Sequence, residues 1–137
     1  MPYRIFDHTA DLGVEISAAT VEELYAAAGF ALFNLLTDLS QVRAGIAREI
    51  VVAGEEPADL LVNFLREILY LWNGERFLIK TCSIREATPQ RLKALLRGEA
   101  FDPGRHRMKA EIKAVTYHQA SVCETEAGFV AKVVFDV

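Results

Sequence analysis

Hydrophobic and polar residues alternate along this chain with two different periods, and the longer period predicts two helices. Between residues 24 and 36 apolar side chains recur three and four positions apart, as in an amphipathic helix. Thr20 and Glu23 form a capping box ahead of this stripe, so the first helix should begin there and end near Thr37. Its predicted buried residues are Leu24, Tyr25, Ala28, Ala31, Leu32, Leu35 and Leu36.

A second apolar stripe of helical period follows the short acidic segment Gly54-Glu55-Glu56, which separates it from the preceding strand. Pro57 suits the first helical position, where its missing N–H is not needed. Asn73-Gly74 predicts a left-handed C-terminal stop. The predicted buried stripe is Leu60, Leu61, Phe64, Leu65, Ile68, Leu69 and Trp72.

The shorter period, with apolar and polar residues in alternation, predicts strands. The predicted strands are 3–6, 13–17, 49–53, 77–86, 91–99, 108–117, 119–126 and 129–137. Connections such as Ala87-Thr88-Pro89 and Glu126-Ala127-Gly128 are too short for parallel crossovers and favour hairpins. The predicted fold class is α+β, a single-domain sandwich over residues 1–137 of two main helices packed on an antiparallel or mixed β-sheet.

Composition is compatible with one such domain. The chain has 137 residues, of which 52% are hydrophobic, enough for one sizeable core. Cys82 and Cys123 match no disulfide or metal spacing, so both are interpreted as small buried hydrophobes in a reducing compartment. The longest apolar stretch falls short of the ~20 residues that a membrane span requires. We therefore expect a cytoplasmic protein without a membrane partner.

The net charge of the chain argues against extensive electrostatic binding of nucleic acid. Its net charge is −4 and its pI is near 5.4, whereas nucleic-acid recognition normally starts from a basic face. We therefore expect no strong direct nucleic-acid binding. Two local basic clusters alternate with apolar residues and are interpreted as solvated strand faces. They comprise Arg85, Arg91, Lys93 and Arg97, and Arg105, His106, Arg107, Lys109 and Lys113.

Candidate chemistry concentrates at the two ends of the sequence. Asp7, His8 and Asp11 lie within five positions, immediately ahead of an alternating strand. Such crowding is costly unless a cation or hydrogen bonds offset the repulsion. Asp136, followed by the backbone oxygens of Val137, ends the last predicted strand. If the two strands meet, they form a site of oxygen ligands.

The residues alone leave two interpretations of this cluster open, namely turn capping with ordinary ion pairs, and a metal site. A metal there would be calcium, magnesium or manganese, because carboxylates and carbonyls are hard ligands and no thiolate joins them. His8 by itself is more often a hydrogen-bonded turn residue than a ligand, and His118 could point either way. Lys113 is a candidate cation partner. No phosphate-binding loop, metalloprotease helix, zinc pattern or nucleophile motif is present in the sequence.

Several segments, in order along nearly the whole chain, resemble the archease family. They are Asp7-His8-Thr9-Ala10-Asp11-Leu12-Gly13, Ala31-Leu32-Phe33, Leu36-Thr37-Asp38, Phe64-Leu65-Arg66-Glu67, Leu69-Tyr70-Leu71, Arg97-Gly98-Glu99, Phe101-Asp102, Lys113-Ala114-Val115-Thr116-Tyr117-His118 and Phe135-Asp136-Val137. The resemblance implies a small protein cofactor of the RtcB-type RNA ligase, which joins 2′,3′-cyclic phosphate or 3′-phosphate ends to 5′-hydroxyls in tRNA splicing and RNA repair. Family members promote GTP-dependent guanylylation of that ligase and its multiple turnover.

The resemblance also implies a set of functional residues. It places a divalent metal on Asp11, Asp136 and a backbone oxygen of Val137, with Asp7 and His8 as further candidates, and it makes Lys113 the functional lysine. We therefore expect an activator without catalytic residues of its own. Two alternatives stay open: a metal-dependent phosphoryl-transfer or hydrolytic enzyme, because carboxylates and a lysine can stabilise a phosphate transition state, and a chaperone or modulator of a tRNA methyltransferase.

Overall fold

The structure, a computed structural model, describes residues 3–6 and 11–137. The elements in chain order are β1 (Tyr3–Phe6), β2 (Asp11–Ala18), α1 (Val21–Leu36), β3 (Ile46–Ala53), α2 (Pro57–Asn73), β4 (Phe77–Ala87), β5 (Arg91–Ala100), β6 (Ala114–Thr125) and β7 (Gly128–Asp136), with a short 3-10 helix, Leu39–Gln41, after α1. The α+β prediction is confirmed.

The strands form two sheets rather than the one that the sequence suggested. A four-stranded sheet has the order β1-β2-β7-β6, and a three-stranded sheet has the order β3-β5-β4. All their pairings are antiparallel. Each helix contacts strands of both sheets, so one core is shared between them. Alternation along a strand shows which face is buried but not which strand is its neighbour, and for this reason the division was not visible in the sequence.

Both predicted helices are present with the predicted start. The Thr20 hydroxyl accepts a hydrogen bond from the Glu23 amide at 3.1 Å, so half of the predicted capping box is confirmed. Pro57 is the first residue of α2. The predicted buried stripe of α2 is confirmed at all seven positions, and in α1 only Leu35 is half-buried rather than buried.

The predicted left-handed stop at Gly74 is wrong. Gly74 keeps a right-handed helical conformation (φ −92°, ψ −40°), and its amide still donates to the Tyr70 carbonyl at 2.7 Å. The left-handed residue lies two positions later at Arg76, with φ 55°. Its amide donates to the Trp72 carbonyl at 2.9 Å, and its guanidinium stacks over the Trp72 ring at 4.5 Å. These contacts offset the cost of a positive φ at a residue with a Cβ.

The predicted division of residues 108–126 into two strands, 108–117 and 119–126, is also wrong. Residues Ala114–Thr125 form one strand, β6, and the segment before it contributes only a single bridge between Met108 and Thr37. The pairing of β6 with β7 shifts between Thr116 and Ser121, so this part of β6 bulges away from its partner. Gln119 lies in the bulge with φ 62°. A polar residue between two alternating runs resembles a turn in sequence and is a bulge in the fold.

The four-stranded sheet presents its core face to the helices and its other face outward. Val14, Ile16, Val133 and Phe135 are buried on the core face. On the outward face the Glu15 carboxylate forms an ion pair with the Arg4 guanidinium at 3.1 Å and lies 3.7 Å from the Lys132 ammonium. Because cross-strand partners share a face, this alternation also fixes which side carries the first residue of β2 and the last residue of β7.

Candidate functional site

Asp11 and Asp136 are direct cross-strand partners on the two central strands of the four-stranded sheet. The register of β2 and β7 pairs Asp11 with Asp136 and, one step further on, Leu12 with Phe135. Partners in an antiparallel pair have Cα atoms about 4.5–5.5 Å apart and side chains on the same face. Ala114 of β6 pairs with Asp136 from the other side. The two aspartates that the sequence singled out therefore stand side by side, with a small residue next to them.

Of the other predicted ligands, Val137 alone lies among the residues that the structure describes. Val137 follows β7 directly and is 46% exposed, and Asp136 is exposed as well, whereas Asp11 is half-buried. Asp7 and His8 lie outside the residues that the structure describes. Over residues 3–6 and 11–137, no cluster of three or more His, Cys, Asp or Glu side chains suited to a metal is formed.

The donor set at this place fits a hard cation. Two carboxylates directly opposite each other repel unless a cation or hydrogen-bond donors lie between them. Asp11, Asp136 and the backbone oxygens of Val137 offer only oxygen, the ligand type of calcium, magnesium and manganese. A metal here would be held by the side chains of Asp11 and Asp136 and by a backbone oxygen of Val137, and it would supply positive charge between the two carboxylates.

Lys113 lies one residue before β6, next to this pair along the backbone. Its amide donates to the Asp136 carbonyl at 2.7 Å, so the Lys113 backbone is fixed to the end of β7. Its exposed side chain lines a cleft between α2 and the start of β6. Within the described part of the chain, no ion pair joins Lys113 to Asp11. The lysine thus borders the aspartates through its backbone and a neighbouring cleft through its side chain.

Two side chains of α2, which the sequence did not single out for function, hold the segment around Lys113. The side-chain amide of Asn73 donates a hydrogen bond to the Ile112 carbonyl at 3.0 Å. The Nε of Arg66 donates one to the Val115 carbonyl at 2.9 Å. These carbonyls bracket Lys113 on both sides. Asn73 and Arg66 are seven residues apart and therefore share one face of the helix. The only indication of this role in the sequence was that both residues are polar and lie beside the apolar stripe of α2.

An aromatic side chain on the β6 bulge extends this contact. The Arg66 guanidinium lies 4.2 Å over the ring of Tyr117, and the Tyr117 hydroxyl donates to the Asn63 side-chain oxygen at 2.7 Å. Asn63 in turn donates to the Ala53 carbonyl at 2.9 Å. The bulge therefore aims Tyr117 at α2, and one polar row of the helix joins β6 to the end of β3.

A second polar cluster, also missed from sequence, lies at the end of β5. Glu99 accepts from the Arg105 guanidinium at 2.6 and 2.8 Å, from the Arg43 amide at 2.7 Å, and from His106 Nε2 at 2.9 Å. His106 Nδ1 accepts from the Asp102 amide at 2.9 Å, so Nε2 must carry the proton. The Arg105 hydrogen bonds hold the pKa of the Glu99 carboxyl well below its usual range, and the Arg43 and His106 bonds act in the same direction, against desolvation.

This cluster corrects one of the two basic-face interpretations. His106 is only 5% exposed and Arg105 is tied to Glu99, so neither belongs to a solvated strand, and residues 109–113 form no strand. The interpretation holds for the other cluster. Arg85, Arg91, Lys93 and Arg97 all lie on β4 or β5, where Arg91 is paired with Glu86 at 2.8 Å and Lys93 lies 3.7 Å from Glu49.

The two cysteines are both free thiols, and only one fits its prediction in part. Cys82 is half-buried on the core side of β4, and desolvation raises its pKa to about 12. Cys123 is exposed on β6, so its interpretation as a buried hydrophobe is wrong. None of the described helices is long and apolar enough to cross a membrane.

The fold defines a class of small α+β proteins in which two helices support two antiparallel sheets. In this chain Asp11 and Asp136 lie at one end of the central strands of the larger sheet. The model of the Archease protein family (MTH1598/TM1083) matches residues 3–137, and the chain belongs to the archease family. Protein archease from Methanosarcina mazei is 34% identical over 139 residues, covering 98% of this chain and 95% of that protein.

Two solved structures share the fold over nearly the whole chain. The solution structure of Methanobacterium thermoautotrophicum protein 1598 is 28% identical, covers 99% of both chains and superimposes with a TM-score of 0.81. The crystal structure of an archease, possible chaperone, from Thermotoga maritima is 25% identical, covers 96% of this chain and 94% of that one, and gives a TM-score of 0.68.

Proposed function

We propose that this protein is a metal-binding protein cofactor that activates an RtcB-type RNA ligase. It promotes GTP-dependent guanylylation and multiple turnover of the ligase during cytoplasmic tRNA splicing and RNA repair. The observation that supports the proposal best is the register that sets Asp11 opposite Asp136 while the Lys113 amide binds the Asp136 carbonyl. The backbone positions of three residues implied by the archease resemblance are thus adjacent in the fold.

Each of these residues has a distinct part in the proposal. Asp11 and Asp136 hold a divalent cation, with calcium, magnesium or manganese as candidates, and a backbone oxygen of Val137 completes the protein ligands. When bound, the cation supplies positive charge that can organise phosphate oxygens. Lys113 adds a positive charge from a backbone position next to Asp136, fixed by β7 and α2.

Exposure of the aspartate site favours an activator over an enzyme. Asp136 and Val137 are open to solvent at the end of a sheet. Phosphoryl transfer and hydrolysis depend on positioned groups from which water is largely excluded. An exposed Asp136 and Val137 instead suit a surface that acts once it is pressed against a partner's active site, which then excludes the water.

A guanylylation assay tests the proposal. The ligase from the same organism is incubated with GTP and a divalent ion, with this protein at a substoichiometric level, and ligase–GMP and joined RNA are measured over time. We expect many ligations per ligase in the presence of the protein. We also expect no release of phosphate from GTP when the ligase is omitted.

The same assay separates the alternatives. GTP hydrolysis by the protein alone, lost in Asp136→Ala, would identify an enzyme and overturn the activator proposal. If the ligase is unaffected but the activity or solubility of a tRNA methyltransferase responds to the protein, the chaperone alternative replaces it.

A further inference from the structure

The cleft between α2 and the start of β6 has the features of a docking site. It is lined by Arg66, Leu69, Tyr70, Asn73, Lys113, Ala114 and Val115 and has a volume of about 470 Å³. Its apolar floor comes from Leu69 and Val115, and its rim carries two cations and an aromatic ring. The cleft is shallow and open along the surface, unlike the enclosed cavities that bury most of a small ligand.

The two cations in the cleft are available to a partner. In the described part of the chain, neither Arg66 nor Lys113 is ion-paired with a carboxylate. Arg66 uses its Nε for the Val115 carbonyl, which leaves its terminal nitrogens as donors. Two unpaired cations converging on one cleft of a chain with net charge −4 are a local excess of positive charge.

The cations are also held in place before any partner arrives. Arg66 is fixed between the Val115 carbonyl and the Tyr117 ring, and the backbone of Lys113 is fixed by its bond to Asp136. Asn73 holds the Ile112 carbonyl on the other side of Lys113. Such preorganisation lowers the entropy that binding would otherwise cost.

Two exposed tyrosines give this surface a composition that is typical of a protein–protein interface. Tyr70 is 58% exposed and Tyr117 is 47% exposed, large values for aromatic rings on a folded surface. Tyrosine and arginine are the residue types enriched where truncation most weakens protein–protein binding. Beyond Tyr117 a second depression is lined by Glu55 and Asp59, so the surface changes from positive to negative along its length.

We propose that the α2–β6 cleft is the docking site for an acidic segment of the partner protein, with an apolar side chain of that segment on the Leu69 and Val115 floor. The carboxylates of the segment meet Arg66 and Lys113, and Tyr70 packs along its side. Charge complementarity is the basis for choosing an acidic segment, and the acidic depression beyond Tyr117 sets its orientation. The inference rests on the proposed function for the identity of the partner, the RNA ligase, but concerns a surface separate from the paired aspartates.

Binding of the purified full-length protein to the ligase tests this inference. Dissociation constants are measured by biolayer interferometry at 50 and 300 mM NaCl, with calcium and with EDTA. We expect Arg66→Gln and Tyr70→Ala each to weaken binding by about tenfold at 50 mM NaCl, as substitutions at interface anchors do. The Arg66→Gln effect should shrink at 300 mM NaCl because salt screens the charge, and the Tyr70→Ala effect should persist. Both effects should be present with EDTA.

Two control variants separate docking from structural support. Arg48→Gln removes another surface arginine that stacks on a ring, 4.3 Å from Phe77, and should leave the dissociation constant within twofold of wild type. Arg66→Lys keeps the charge but not the planar guanidinium, and should bind better than Arg66→Gln. If Arg66→Lys is as weak as Arg66→Gln at both salt concentrations, Arg66 acts only by holding β6 and the inference is overturned.

The outcomes distinguish this inference from the proposed function. Wild type and both cleft variants binding the ligase equally would overturn the docking site and leave the activator proposal intact. Failure of wild type to bind or activate the ligase would overturn both. Binding of a short single-stranded RNA to the isolated protein, lost in Arg66→Gln, would reassign the cleft to nucleic acid and overturn the protein-docking inference.

Discussion

Replacing Glu99 with glutamine should destabilise the protein far more than its place near the surface suggests. The Glu99 carboxylate receives four hydrogen bonds, two from Arg105 and one each from the Arg43 amide and His106. Its side chain is 14% exposed. Glutamine has the same shape, but its side-chain nitrogen cannot accept hydrogen bonds from the donors that now bind one carboxylate oxygen. Its remaining oxygen would still accept, but without the full negative charge of a carboxylate.

The expected loss follows from the kinds of contact. Breaking a buried ion pair on one side costs about 3–5 kcal/mol. Arg105 is 26% exposed and can be rehydrated in part, so we take the lower end, about 3 kcal/mol. For a chain of this length the unfolding entropy is roughly 0.3 kcal/mol/K, which converts the loss to a decrease in Tm of about 10 °C.

The effect of Glu99→Gln should depend on pH with a definite sign. The pKa of Glu99 is lower in the folded protein than its ordinary value of 4.5, so the folded state binds this proton more weakly than the unfolded state does. The stabilisation is therefore complete above about pH 5 and is lost as the pH falls toward the folded pKa. The gap in stability between wild type and Glu99→Gln should narrow between pH 6 and pH 3.

Urea unfolding of both proteins, followed by circular dichroism at several pH values, measures this gap. Glu49→Gln is the matched control, because Glu49 lies 3.7 Å from Lys93 and its side chain is 53% exposed, so its loss should stay below about 1 kcal/mol. A loss below 1 kcal/mol for Glu99→Gln, or a gap that stays constant from pH 6 to pH 3, would refute the reasoning.

Three further predictions concern the aspartate site. Asp11→Ala and Asp136→Ala should each abolish binding of calcium or manganese in calorimetric titrations, and the double variant should match either single variant because both remove ligands of one site; unchanged affinity in either single variant would remove the site. Lys113→Ala should keep metal binding and lose ligase activation, whereas a turnover curve that matches wild type would leave Lys113 as an ordinary surface lysine. Deleting Val137 should lower ion affinity more than thermal stability, and equal affinity with and without Val137 would show that its backbone oxygens are not ligands.

Features governed by local pattern were predictable from the sequence. The buried stripe of α2 and the start of α1 at Thr20 followed from the helical period and from capping chemistry. The position of Asp11 and Asp136 at strand ends was also within reach, because an alternating run follows the one residue and precedes the other. Which strands pair was not predictable, since alternation carries no information about neighbours.

Features that depend on long-range side-chain contacts were not predictable. Arg66 and Val115 are 49 residues apart, and their hydrogen bond joins a side chain to a backbone oxygen. Every residue has a backbone oxygen, so the residue type at position 115 gives no indication of this hydrogen bond. Glu99 and Arg43 are 56 residues apart, and here too one partner is a backbone amide. The bulge that contains His118 and Gln119 was hidden for another reason, because a polar residue between two alternating runs, here His118, is equally typical of a turn.

The strand order has a consequence for when the aspartate site can form during folding. The three-stranded sheet is built from one continuous stretch, residues 46–100, whereas β2 reaches its neighbour β7 only across more than a hundred residues. Contacts close in sequence form faster because less chain entropy is lost in closing them. We therefore expect amides of β5 to become protected before those of β2 and β7 in pulse-labelled hydrogen exchange, and simultaneous protection would contradict this order. A chain caught partway would contain an ordered helix–sheet unit in which Asp11 and Asp136 are not yet paired.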